Sequence, residues 1–156
     1  MTSPVEEKLA ALGLTLPEPA KPVANYVPYV VTGNLISISG QIPLSADGRL
    51  AFQGKVGQDL DEETAREAAR LCAINIIAQA KAACDGDLNR IRRIVKLGAF
   101  VNCTDGFEGQ PAIINGASDL MVEIFGEKGR HSRSAVGVNA LPLNVPVEID
   151  ALIEIS

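Results

Sequence analysis

Residues 26–43 read YVPYVVTGNLISISGQIP, two runs rich in Val and Ile that meet around Thr32-Gly33-Asn34. β-Branched residues fit a pleated, half-buried surface and the glycine supplies the positive φ of a tight turn, so the stretch predicts a β-hairpin. Its apolar residues fall at both parities instead of alternating. The same holds for VPVEIDALIEI, residues 145–155. A sheet made of such strands is apolar on both faces, while one layer of helices covers only one. The second face calls for a partner chain, and closed cyclic oligomers place sites in the clefts between subunits.

Outward from the hairpin, Ala46-Asp47-Gly48 is a second turn leading to a short strand over Leu50 to Phe52, with GKVG following as a loop. From Asp61 the period changes: Ala65, Ala68, Ala69, Cys72, Ile76, Ala80 and Ala83 recur at helical spacing, ending at CDGD. RIRRIVKLGAFVNC, residues 90–103, reads as a strand. Phe107 to Phe125 reads as a second long helix whose start is weakened by Gly109, Pro111 and Gly116. Two strands, Ser134 to Asn139 and Val145 to Ile155, close the chain as a hairpin joined by ALPLN. At the N-terminus, Ser3-Pro4-Val5-Glu6 has the form of a capping box with proline at the first helical position, predicting a helix to about Leu12 that stops at Gly13. The prolines of TLPEPAKPVA then make an extended connector. The expected fold is α+β: a two-layer mixed sheet with both long helices on one face. Residues 1–20 are an N-terminal helical extension and proline-rich connector, and 21–156 a single domain.

Composition narrows the function. Hydrophobic residues are 47% of the 156 and charged residues 21%, ordinary for one globular domain. A net charge of −5 argues against an electropositive nucleic-acid track. No apolar run approaches the ~20 residues of a membrane span, and MTSPVEEKLAALGL lacks a signal-peptide core, so a cytoplasmic location is expected, with no membrane partner. Cys72, Cys84 and Cys103 are odd in number and form no CxxC pair, which favours buried thiols. With His131 the only histidine, there is little to build a metal site on.

Arg133 stands at the head of a small, apolar run, where a charge is either solvated or held for a purpose. From position alone it is a surface charge able to pair with Glu127 or Glu148. The segments GNLISISGQIPLSADGRL (33–50) and SRSAVGVNALPLNVPVEID (132–150), with the order of elements between them, resemble the YjgF/YER057c/UK114 (RidA, endoribonuclease L-PSP) family, as a divergent branch. The resemblance covers about residues 20–156 and implies a chorismate-mutase-like homotrimer. It also implies a cofactor-independent reaction, hydrolysis of enamines and imines such as 2-aminoacrylate and 2-iminobutanoate to 2-oxo acids and ammonia. The family's carboxylate-binding arginine falls on Arg133 and its water-orienting glutamate on Glu148. Its tyrosine falls on Tyr26, the backbone of Ser39 and Gly40 lines the same pocket, and Ala135 is small enough to let a ligand approach. Two positions depart: the helix asparagine falls on Ser118, and a PAR tripeptide has become His131-Ser132-Arg133.

The chemistry also stands on the residue types. A guanidinium grips a carboxylate through two parallel N–H bonds, which lysine cannot copy. Imine hydrolysis then needs a water near the carbon and a carboxyl that passes protons, a role open to Glu148 if burial raises its pKa. Glu148 can equally face solvent on an alternating strand, and Tyr26 can be sheet packing. His131 is a possible general base. Beside the enzyme stands a module that binds a 2-oxo acid or other small carboxylate without turnover. Ribonuclease activity ranks last, since one histidine and an acidic chain supply neither an acid/base pair nor phosphate-binding cations.

Overall fold

The strand order follows from two strand–helix–strand passages. In the structure, a computed structural model that describes residues 3–21 and 24–156, the hairpin forms as β1 (Tyr29–Thr32) and β2 (Leu35–Gln41), turning at Gly33 with φ 59. Helix α2 (Glu62–Ala83), counted after the N-terminal α1 (Pro4–Ala11), leads to β3 (Ile91–Asn102). Helix α3 (Gln110–Phe125) then leads to β4 (Ser132–Val138), and β5 (Val147–Ile155) ends the chain. Crossover helices return the chain in the same direction, so β3 and β4 pair in parallel. β2 also runs parallel to β3, but with a one-strand gap that β5 fills, antiparallel to both. The order is β1-β2-β5-β3-β4.

This corrects two expectations. The last two strands are not a hairpin: β3 lies between them, and the ALPLN connection crosses its end, where the buried Asn102 donates from Nδ2 to Val145 O at 3.2 Å. Nor do residues 50–52 form a strand. Leu50 makes only an isolated bridge to Leu44, because the sheet edge there is already occupied by β1 and the segment is left as a loop.

Both long helices pack on one face, with Ile36, Ile76, Leu97, Ile114, Leu120 and Ile149 fully buried between the layers. Asp61 caps α2 by accepting from the Thr64 backbone N–H at 2.8 Å. Gly116, which weakens α3 by propensity, is required by packing, since a Cβ there would lie 2.2 Å from Arg66 O of α2. Helix α3 starts at Gln110, three residues later than expected, with Pro111 in its first turn. The capping box of α1 forms as read, and Leu9 joins the main core while Glu6 meets Lys81 Nζ at 2.9 Å, so the N-terminal helix is packed on the same unit. Part of the proline-rich connector, Pro22 and Val23, lies outside the described residues, as do Met1 and Thr2.

No element of the described chain covers the opposite face. Val30 and Val136 on that face are 50% and 45% exposed. The three cysteines are free and buried. Among the described residues no helix is long and apolar enough to cross a membrane, and no group of three His, Cys, Asp or Glu is placed to hold a metal.

Candidate functional site

Strand β2 carries one extra residue where it meets β5. Ile38 faces Ala151, but the next pair is Gln41 with Ile149, so three steps of β2 span two of β5 and Ser39-Gly40 form a bulge. The bulge brings the backbone of Gly40 against Glu148: a Cβ at position 40 would lie 2.9 Å from Glu148 Cδ and 3.0 Å from Oε1. Ser39 ties down the preceding segment. Its hydroxyl donates to Val27 O at 2.9 Å and its N–H to Pro28 O at 2.9 Å, which fixes the stretch bearing Tyr26. Tyr26, Ser39, Gly40, Gln41 and Glu148 line one cleft of about 600 Å³. Half-burial, and secondarily the neighbouring charge of Asp150, push the Glu148 carboxyl above the usual carboxylate range.

Arg133 anchors a second cluster. Its Nη1 donates to Asn115 Oδ1 at 2.9 Å and to Ser118 Oγ at 3.1 Å, and Nη2 to Pro111 O at 3.4 Å, all on α3. Ser118 Oγ is also 2.9 Å from His131 Nε2, and His131 Nδ1 is 2.6 Å from Gly129 O. A carbonyl can only accept, so Nδ1 carries the proton, Nε2 accepts from Ser118, and Ser118 accepts from Arg133. This chain fixes the guanidinium plane. It leaves the edge formed by Nε and the second Nη2 hydrogen without a partner among the described residues, and no carboxylate pairs with it there. Glu127 is taken by Arg130 at 3.0 Å. Ala135, two residues along β4 on the same side, packs against the core.

The two clusters do not meet within one chain. Arg133 pairs with Leu97, and Leu97 with Ala151, while Glu148 pairs with Phe100, and Phe100 with Val136. Paired residues share a face, and Leu97 is buried under the helices, so Arg133 lies on the helix side of edge strand β4 and Glu148 on the open side. The expectation that Glu148 adjoins Arg133 on a neighbouring strand is therefore corrected, β3 being interposed. The helix asparagine was also misplaced: Asn115, one turn before Ser118, holds Arg133 together with it. The signal was their i,i+3 spacing, which puts both on one face of α3.

Close approach at Gly40 gives a direct prediction. Gly40→Ala should leave stability within about 1 kcal/mol, because the clash is with the end of a flexible side chain, yet displace the Glu148 carboxyl. Turnover should fall about tenfold with little change in the melting curve. Unchanged turnover would remove Glu148 from the site.

Comparison with known proteins agrees with the fold. A family model described as "YjgF/chorismate_mutase-like, putative endoribonuclease" matches residues 6–154. Protein TCP17 of Trypanosoma cruzi is 44% identical over 153 residues, covering 97% of this chain and 94% of that protein. A solved protein of unknown function from Agrobacterium tumefaciens is 50% identical with a TM-score of 0.92, covering 98% of this chain and 93% of that one. TdcF of E. coli, solved with bound serine, is 26% identical with a TM-score of 0.63, covering 91% and 96%. The chain therefore belongs to the YjgF/chorismate mutase-like family, whose mixed five-stranded α+β fold it shares.

Proposed function

We propose that the protein hydrolyses small imino acids, the imine and enamine forms of 2-oxo acids, without a cofactor, in clefts where Arg133 of one copy faces Glu148 of another. The observation that carries this reading is the Glu148 carboxyl held above its usual range against the bare backbone of Gly40. A carboxyl so poised both accepts and returns protons near neutral pH. Arg133 grips the substrate carboxylate through its free edge. Water adds to the carbon of the protonated C=N bond, giving up a proton to Glu148. Glu148 passes that proton to the nitrogen, the C–N bond breaks, and a 2-oxo acid and ammonia leave. TdcF, which holds serine, supports a small ligand with an amine beside a carboxylate. The endoribonuclease of the family description fits less well with a net charge of −5 and one histidine.

The arrangement requires assembly, because the two clusters lie on opposite sides of one sheet and the open face carries exposed valines. A homotrimer of 16.4 kDa chains is the expected state in light scattering. Unfolding and refolding an equal mixture of Arg133→Ala and Glu148→Gln chains tests the shared cleft. Each parent trimer lacks one half of every site, whereas random hybrids rebuild about a quarter of them, one Arg133 and one Glu148 coming from different chains. Imine-hydrolysing activity should return to roughly that fraction. Hybrids as inactive as both parents, or a stable monomer with full activity, would overturn the proposal.

A further inference from the structure

The cleft beside Glu148 has a second wall, formed in part by Pro142 and Leu143. Leu143 and Asn144 both have left-handed backbone, with φ of 58 and 56, a region that residues other than glycine seldom occupy. The loop is nevertheless pinned at every turn. Gln53 Nε2 donates to Leu143 O at 2.9 Å, the Gly54 N–H to Asn144 O at 2.7 Å, and Asn102 Nδ2 to Asn144 Oδ1 at 3.2 Å. Lys55 Nζ, donating to Asn139 O and to Asn102 Oδ1 at 2.7 Å, clamps the start of the crossing to the end of β3. What this loop presents is a leucine 63% exposed, the most exposed large apolar side chain of the described residues. Backbone strain and apolar exposure are both unfavourable, and a loop fixed firmly in both points to a contact completed by something outside the chain.

The same cleft shows what that contact is. Ile42, Leu44 and Leu50 line it with Leu143 and the ring of Tyr26, whereas its acidic and amide groups, Glu148 and Gln41, are set by the β2 bulge and its partner strand. We infer that the cleft takes imino acids whose side chain is apolar and of medium size, as in the imines of leucine and methionine, and that Leu143 packs on that side chain as a specificity determinant. The inference rests on the reaction proposed above and adds the substrate class. A pocket that buries several further methylene groups discriminates by tenfold or more in kcat/KM.

The test compares imines generated in place by an amino-acid oxidase from leucine, methionine and alanine. Wild-type kcat/KM should favour the two larger imines over the alanine imine by at least about tenfold. Leu143→Asn keeps a residue at ease in the left-handed region and removes the apolar group, so it should fold as well and lose most of that preference. Equal or reversed preference in the wild type, or an unaltered ratio in Leu143→Asn, would overturn the inference while leaving the reaction standing. A change in assembly size in Leu143→Asn would also overturn it, assigning Leu143 to the contact between copies. If no imine is hydrolysed, the reaction falls and calorimetry with the 2-oxo acids decides the specificity. Tighter binding of 4-methyl-2-oxopentanoate than of pyruvate supports it, and equal binding overturns it.

Discussion

Arg133→Ala is expected to lower kcat/KM for imine hydrolysis by about 10²- to 10⁴-fold, and Arg133→Lys not to restore it. Two charge-assisted hydrogen bonds to a carboxylate, at ~1.5–3 kcal/mol each, account for that range. The geometry explains why lysine fails. Asn115 and Ser118 take Nη1, so the substrate meets the opposite edge, where Nε and Nη2 present two parallel hydrogens. An ammonium has the charge but neither the edge nor the two anchors on α3 that aim it. The measurement is 2-oxo acid formation in variants whose assembly size matches the wild type. Arg133→Ala also leaves Asn115 and Ser118 without their donor, but both are reachable by water, so the cost to stability should stay near 1 kcal/mol. Well-assembled Arg133→Ala with wild-type turnover would remove the carboxylate grip from the reaction.

How far the sequence reaches is visible in these residues. The hairpin at Gly33, the cap at Asp61 and the alanine stripe of α2 are local patterns, and each forms as read. The position of β5 is not local. It depends on β2 and β3 running parallel with a gap between them, a consequence of α2 crossing over, and the short ALPLN link suggested a hairpin instead. Arg133 was legible because a charge at the head of an apolar strand needs a reason. Asn115 was not, since an exposed asparagine on a helix is common and only the fold brings it within 2.9 Å of Arg133. The division of Arg133 and Glu148 between two faces was equally hidden. Parity along one strand says nothing about which face another strand turns to the same side until the order of strands is known.

Glu148→Gln should lower kcat by about 10²- to 10⁴-fold with a much smaller change in KM, the amide keeping the shape of the carboxyl but carrying no proton between water and nitrogen. The same substitution should not destabilise the protein, and the sign follows from the titration. Burial raises the folded Glu148 carboxyl above its ordinary value of 4.5, so the folded chain holds that proton more tightly than the unfolded one. The stability this contributes is fully present below the unfolded value and is lost as pH rises through the folded one. Near neutral pH the wild type carries a half-buried charge beside Asp150, itself pushed upward chiefly by burial. The amide removes that charge. Melting temperatures of wild type and Glu148→Gln should therefore converge below pH 4.5 and separate above it, with the variant the more stable. A residue that served only to hold the cleft together would show the opposite, activity and stability falling in step. Loss of kcat in a chain that melts no earlier at pH 8 assigns Glu148 to proton transfer, and equal kcat in the two proteins removes it.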